Sequence, residues 1–241
     1  MAGPEFLNTL SPRPFWCRYI INYASFLIGN IVSKITITGK WNLPKEGPYV
    51  ISCNHFSYFD PLFSTYGVQK PLNFIAASDQ TIKWYFMWAP IIYGWIPIDR
   101  RSIAPSSIKK ALNVLKRGEI LCIYPEGMQT SNALQKPKNG AVFLSTVGKA
   151  PIVPMSIHGA ENLWENIFLG VRSRIKINIG KPFGPIEFGG TKTEKEKILK
   201  ETGRELMCRI AALLPEKSHG VFKGDKKIKY YKKENGDINL I

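Results

Sequence analysis

Tyr49-Val-Ile-Ser-Cys53-Asn-His55-Phe-Ser-Tyr-Phe-Asp60-Pro61 decides the fold and opens the question of function. Its first part, Tyr49 to Cys53, is a short apolar run of the kind that forms a strand covered on both faces. Pro61 suits the first turn of a helix, which the sequence carries to about Tyr66. Strand, polar loop and helix together make the unit of an α/β sheet, and loops at the carboxyl ends of such strands form the crevice where ligands bind. His55 and Asp60 fall in that loop. Neutral imidazole offers one nitrogen as a proton acceptor only when the other keeps its hydrogen, and a carboxylate bonded to the second nitrogen fixes that choice. A His and an Asp so placed can serve as a general base for a substrate's own hydroxyl. The competing reading is that the pair is structural, since this spacing also arises by chance. With only 3 histidines in the chain, His55, His158 and His219, the choice of base is narrow.

Outward from this unit the pattern repeats. Lys34 to Gly39 alternates with period two and is expected as a strand, as are Asn73 to Ala77, Ile96 to Ile98, Ile120 to Tyr124, Ile152 to Ile157 and Lys176 to Ile179. Helices are expected over Thr81 to Ile92, Pro105 to Arg117 before Gly118, Asn139 to Val147 and Glu194 to Leu214. Alternation of this sort predicts an α/β domain with a mixed, mostly parallel sheet flanked by helices. Two further loops at strand ends are polar, Asp99-Arg100-Arg101 and Tyr124-Pro125-Glu126-Gly127. A base, a cation and a carboxylate converging in one crevice suit transfer onto a hydroxyl of a negatively charged substrate. Each residue also has a plainer reading: Arg100 as partner of Asp99, Glu126 as a turn residue.

Four segments follow from composition. Residues 1–6 resemble an expression-vector scar and are set aside. Residues 7–34 hold an apolar, aromatic stretch about as long as a spanning helix of ~20 residues. Arg18, Asn22, Asn30 and Lys34 interrupt it, which favours a helix lying in a membrane interface, with Trp16, Tyr19 and Tyr23 at headgroup level and Arg18 and Lys34 toward anionic headgroups. A helix packed on the domain is the alternative. Residues 35–215 carry the α/β pattern, and residues 216–241 form a lysine-rich tail expected to be solvated or to meet a membrane surface. A net charge of +15 calls for an anionic partner: a membrane surface, a phosphorylated or thioester substrate, or nucleic acid. The basic residues form no single helix and the aromatics cluster where lipid would be met, so nucleic acid is not expected. Cys17, Cys53, Cys122 and Cys208 are scattered, with no CxxC pair, and are expected as reduced thiols on a cytoplasmic face. No Cys/His cluster has zinc spacing, so no metal is expected. No Gly-x-Ser-x-Gly elbow is present, against a serine hydrolase.

Asn54-His55-x4-Asp60, Gly94-Trp-Ile-Pro97-Ile-Asp99-Arg100, Tyr124-Pro125-Glu126-Gly127 and Ile152-Val153-Pro154-Met155 resemble the four ordered blocks of the glycerolipid acyltransferases, typified by 1-acylglycerol-3-phosphate acyltransferase. The resemblance spans about residues 35 to 215. It implies an enzyme at the cytoplasmic face of a membrane that moves a fatty acyl chain from an acyl-carrier protein or coenzyme A thioester to a lysolipid hydroxyl, with no other cofactor. It further implies His55 as general base oriented by Asp60, with Asn54, Arg100, Glu126, Gly127, Lys138 and Pro154 around the substrates. Arg100 would bind an anionic group, Glu126 and Gly127 would shape the acceptor site, and Pro154 would help build the acyl side. Two positions depart from the family pattern: Gln129 stands where an Arg is usual, and the Ala77 region lacks a customary Lys. Arg100, Arg101, Lys136 and Lys138 are candidates to compensate. An acceptor with a different head group, such as a lyso-aminolipid or another lysophospholipid, is one alternative; a non-enzymatic module that binds anionic membranes or nucleic acid, its polar loops serving structure, is the other.

Overall fold

A computed structural model describes residues 13–77, 88–98, 104–130, 132–236 and 238. The strands are β1 (Ser33–Thr38), β2 (Tyr49–Cys53), β3 (Leu72–Ala77), β4 (Ile96–Ile98), β5 (Ile120–Ile123), β6 (Ile152–His158) and β7 (Ser173–Ile179). The helices are α1 (Phe15–Val32), α2 (Asp60–Val68), α3 (Trp88–Tyr93), α4 (Pro105–Lys116), α5 (Gly140–Val147), α6 (Leu163–Phe168), α7 (Lys192–Ala211) and α8 (Lys226–Asn235). Among the described residues the strands form one sheet in the order β1-β7-β6-β2-β5-β3-β4. All pairs are parallel except β6 with β7. The sheet is therefore mixed and mostly parallel, as the alternating pattern predicts.

Every residue of β2 and β5 is buried, because helices cover both faces. Alternation then sorts the strand residues. Tyr49, Ile51, Cys53, Ile120 and Cys122 pack with Phe63, Tyr66 and Val68 of α2 on one face. Val50, Leu121 and Ile123 pack with residues of α4, α5 and α7 on the other. Asp60 occupies the first turn of α2, with Pro61 behind it, where a carboxylate meets the positive end of the helix.

At the carboxyl end of the sheet β3 changes partner. It pairs with β5 through Leu72, Asn73 and Phe74, and with β4 from Ile75 to Ala77. Above Phe74 the side of β3 that faced β5 is thus free of that pairing, and the two strands separate beside the end of β2.

The structure differs from expectation at both ends. Helix α1 buries Arg18, Asn22, Ser25 and Gly29, and turns Trp16, Tyr19, Ile20, Tyr23, Leu27, Ile28 and Ile31 outward. Arg18 does not face solvent. Its Nη1 lies 3.5 Å from Asn73 Oδ1 and its Nη2 3.9 Å from Glu119 Oε2, while Asn73 Nδ2 donates to the same carboxylate at 2.9 Å. Among the described residues no helix is long and apolar enough to cross a membrane. The lysine-rich end is also folded: Phe222, Ile228 and Tyr231 are buried, and α8 packs on α7. Arg209 of α7 ties it down, bonding Glu205 and Glu234 at 3.0 and 2.9 Å and lying over the rings of Phe183 and Tyr231. Few apolar residues suffice there because they fall on one face of a helix that begins with Asp225 capping the Lys227 N–H.

Candidate active site

His55 follows the end of β2 by two residues, and the loop from there to α2 folds back on itself. The ring Nδ1 of His55 lies 3.0 Å from Asp60 Oδ2, and the Ser57 backbone N–H donates to the same oxygen at 2.7 Å. Burial pushes the Asp60 carboxyl above the usual carboxylate range, while bonds from His55 and from backbone N–H groups pull the other way. With Nδ1 as donor to Asp60, Nε2 is the proton acceptor. Ser57 Oγ donates to Ala160 O at 2.8 Å, fixing the loop to the end of β6.

One contact of the ring has no counterpart in the sequence pattern. Tyr124, at the end of β5, stacks on the imidazole with ring centroids 4.3 Å apart and an interplanar angle of 21°. Its hydroxyl is 3.1 Å from Ser64 Oγ of α2, so the ring is held between strand and helix. Only the adjacency of β2 and β5, a tertiary fact, brings Tyr124 to His55.

Asn54 is fully buried. Its amide Nδ2 donates to Ile157 O and its Oδ1 accepts from Ile157 N, both at 2.9 Å, so it extends the β2–β6 pairing as a side-chain clamp. It does not line the cavity described below. Glu126 is buried, with Oε2 accepting from Thr130 Oγ1 at 3.1 Å and from the Gln135 N–H at 2.9 Å. Burial raises its pKa, and those donors offset part of the rise. It braces the turn after β5; Thr130 N–H in turn donates to His55 O at 2.8 Å. Gly127 has φ +72°, and a Cβ there would sit 2.9 Å from Lys138 Cδ. The glycine is required by its backbone and by the lysine stem laid across it. Pro154 lies inside β6, paired with Ser52 and packed near Gly180, on the opposite side of β2 from β3 and the cavity. It is part of the sheet core, which is where the structure departs from its expected place on the acyl side. Arg100, with Asp99 and Arg101, lies outside the described residues.

His55 opens onto a cavity of about 700 Å³, within the ~300–1,000 Å³ usual for ligand sites. It occupies the separation between β3 and β5. Phe74, Thr65 and Tyr93 line it on the α2 side of the sheet, and Ile75, Ile108, Phe143 and Leu144 on the α4 and α5 side. Phe59, Trp95 and Ile98 complete an apolar wall. Lys138 is the one lysine or arginine among the described residues that line it, and Gln129 and Ala77 line it as neutral groups. Gln129 Nε2 donates to Phe56 O at 3.3 Å. No group of three or more His, Cys, Asp or Glu side chains is arranged to hold a metal among the described residues.

The acyltransferase family profile matches residues 34–158, which run from β1 through β6 and include the His55 loop, the β5 turn and the clamp on Ile157. The 1-acyl-sn-glycerol-3-phosphate acyltransferase of Bacillus subtilis (strain 168) is 32% identical over 156 residues, 64% of this chain and 76% of that protein. The protein of the same name from Streptococcus pneumoniae is 29% identical over 136 residues, 56% of this chain and 49% of its own. The crystal structure of PlsC, the 1-acyl-sn-glycerophosphate acyltransferase of Thermotoga maritima, shares the fold with a TM-score of 0.55 at 20% identity, covering 84% of this chain and 86% of that one. With the profile spanning half the chain and a relative at this identity covered over most of its length, the chain belongs to the acyltransferase family.

Proposed function

We propose that this protein transfers a fatty acyl chain from an acyl thioester, carried by acyl-carrier protein or coenzyme A, to the free hydroxyl of 1-acylglycerol-3-phosphate. The observation that carries the proposal is the His55–Asp60 pair at 3.0 Å, opening onto an apolar cavity large enough for a lipid chain. Relatives named for this activity supply the reaction class.

In the proposed step the acceptor hydroxyl donates to His55 Nε2, and its oxygen attacks the thioester carbonyl carbon as the proton passes to the imidazole. Asp60 stabilises the imidazolium across Nδ1. The tetrahedral oxyanion collapses, the C–S bond breaks, and the proton goes from Nε2 to the departing thiolate, leaving an ester and a free thiol. No acyl-enzyme forms and no resident cofactor takes part. Tyr124 keeps the imidazole plane fixed while its charge changes. The apolar wall takes the acyl chain and excludes water, which limits hydrolysis of the thioester. Lys138, laid over Gly127, gives the acceptor's phosphate a cation in the same cavity, and Arg100 is assigned the same partner.

The neutral Gln129 and Ala77 on the cavity wall favour a second reading, an acceptor with a less negative head group such as a lyso-aminolipid or another lysophospholipid. The outward apolar face of α1 is assigned to a membrane surface, at the cytoplasmic side. The test is acyl transfer by the purified full chain with an acyl thioester and a panel of lysolipids. Transfer is expected with 1-acylglycerol-3-phosphate and its loss in His55→Ala; a His55→Ala protein as active as wild type defeats the base assignment, and transfer confined to other lysolipids selects the second reading.

A further inference from the structure

We infer that α6 and the turn after it, Trp164 to Val171, form a second lipid-bilayer contact that sets the mouth of the catalytic cavity against the membrane. The inference rests on the acyl-transfer reading for its substrate and on the structure for its surface. The connection from β6 to β7 carries α6, whose Leu163 is buried in the core while Trp164, Phe168, Leu169 and Val171 stand out from it. Phe168 and Leu169 are 73% and 74% exposed, which is uncommon for adjacent large apolar residues on a protein meeting only water.

Three observations identify a bilayer as the occupant. The first is continuity with α1. Arg172, next to the lobe, donates from Nη2 to Asn30 O and, at 2.7 Å, to Ser33 O, so the lobe is bonded to the carboxyl end of α1. The outward side of α1 reaches that end as Leu27, Ile28 and Ile31, and the helix has no charged residue between Arg18 and Lys34. The lobe and the helix therefore present neighbouring apolar side chains, with the exposed cations Arg172 and Lys34 where they meet. Apolar surface flanked by aromatic rings and cations matches the acyl, interfacial and headgroup levels of an anionic leaflet.

The second is continuity with the active site. Phe59 lines the catalytic cavity and stacks on Trp164 at 6.1 Å, and Trp164 meets Phe168 edge-on at 5.3 Å. An aromatic file thus runs from the cavity wall to the exposed lobe. The third is the chemistry of the acceptor. A lysolipid resides in a bilayer with its chain in the acyl region, and an apolar path from that region to the wall beside His55 spares the chain a passage through water.

The test compares wild type with Phe168→Ser/Leu169→Ser in the full chain, first confirming equal helix content and thermal midpoint. Binding to vesicles of phosphatidylglycerol and phosphatidylcholine is read by flotation, and transfer is measured with a long-chain lysolipid in those vesicles and with a short-chain, water-soluble lysolipid. The expected result is at least about tenfold weaker vesicle binding, since burying even part of two such side chains accounts for that factor, with KM raised for the vesicle acceptor and rates unchanged for the soluble one. Equal vesicle binding by variant and wild type overturns the inference. So does a wild-type dimer that the substitutions dissociate, which assigns the surface to a second copy. If wild type acylates no lysolipid, the functional reading fails, while the binding comparison still decides the membrane contact.

Discussion

Asn54→Ala separates two roles that the sequence leaves open for that residue. The family resemblance puts Asn54 beside the substrates. The structure puts it in the sheet, fully buried, with a donor and an acceptor bond to one residue, Ile157, each at 2.9 Å. Truncation removes both bonds and leaves the Ile157 N–H and C=O in the interior. An unsatisfied buried polar group costs about 1–3 kcal/mol, and carbonyls are the more tolerant of the two, so the pair sums to about 2–5 kcal/mol. For a chain of 150–250 residues each kcal/mol lowers Tm by about 2–4 °C, which gives a drop of roughly 4–20 °C. His55 leaves β2 through Asn54, so loosening the clamp also shifts the proposed base, and on that reading kcat is expected to fall while the KM values for both substrates change little. Differential scanning calorimetry and steady-state kinetics on the same preparation measure both. A variant with Tm within about 2 °C of wild type and a KM raised for the acceptor alone would refute the clamp and restore the substrate-binding role.

Two other perturbations test the electrostatics. Asp60→Asn keeps the size of the side chain but no longer selects the tautomer with Nε2 free, so kcat should fall on the order of 10³–10⁴, the scale known for the corresponding change in a Ser-His-Asp triad, with KM little altered; a loss under tenfold would mean the imidazole is oriented by Tyr124 and the loop alone. Glu126→Gln tests linkage. Burial raises the folded-state pKa of Glu126 above its unfolded value, so the folded state holds that proton more tightly, and stability from this group is present at low pH and lost as pH rises through the folded pKa. The variant's Tm minus that of wild type should therefore grow as pH is raised from about 4 toward 7; a difference that shrinks over that range would show that the carboxylate is held by its donors more strongly than burial opposes it.

The parts of the fold that sequence makes legible are those set by short-range pattern. Tyr49 to Cys53, Ile120 to Ile123 and Ile152 to Ile157 are apolar runs ended by polar loops, and each is a buried strand. Pro61 and Pro105 each mark a helix start. The nearness of His55 to Asp60 is likewise local, because five residues of loop and first helical turn bring the two together. Strand order is not local. That β5 inserts between β2 and β3 depends on which faces of distant segments match, and this insertion alone delivers Tyr124 to the imidazole and Glu126 to the turn behind it. Lys138 follows the same rule, since its place over Gly127 depends on the Lys138 N–H reaching Pro125 O at 2.7 Å. The lysine-rich end misleads for a different reason. Its composition is that of a solvated tail, yet Ile228 and Tyr231 share a helical face, and a hydrophobic stripe that narrow is easily lost among so many charges.

The orientation of α1 shows how a single buried group can decide what composition leaves undetermined. The helix is apolar nearly all round, so hydrophobicity alone barely prefers one face over another. Glu119, at the amino end of β5, breaks the tie. Asn73 donates to one oxygen of that carboxylate at 2.9 Å, and Arg117 Nε, on the solvent side, donates to the other at 2.5 Å. Arg18 adds a second cation from the buried side at 3.9 Å, losing basicity through burial and regaining part of it from Glu119. Turning the helix to bury Tyr23 and Ile28 would gain a few kcal/mol of apolar burial, at about 25 cal/mol per Å², but would carry Arg18 away from Asn73 Oδ1 and from the buried side of Glu119, leaving Asn73 and the exposed Arg117 to satisfy that carboxylate. The observed rotation keeps the ion pair and leaves the apolar face unburied by the protein. In water that face has no compensation; at a bilayer it has one. The electrostatics of the sheet's amino end and the lipid reading of α1 are thus one argument: the charge pair selects the face turned inward, and the remainder of the helix is what a membrane would meet.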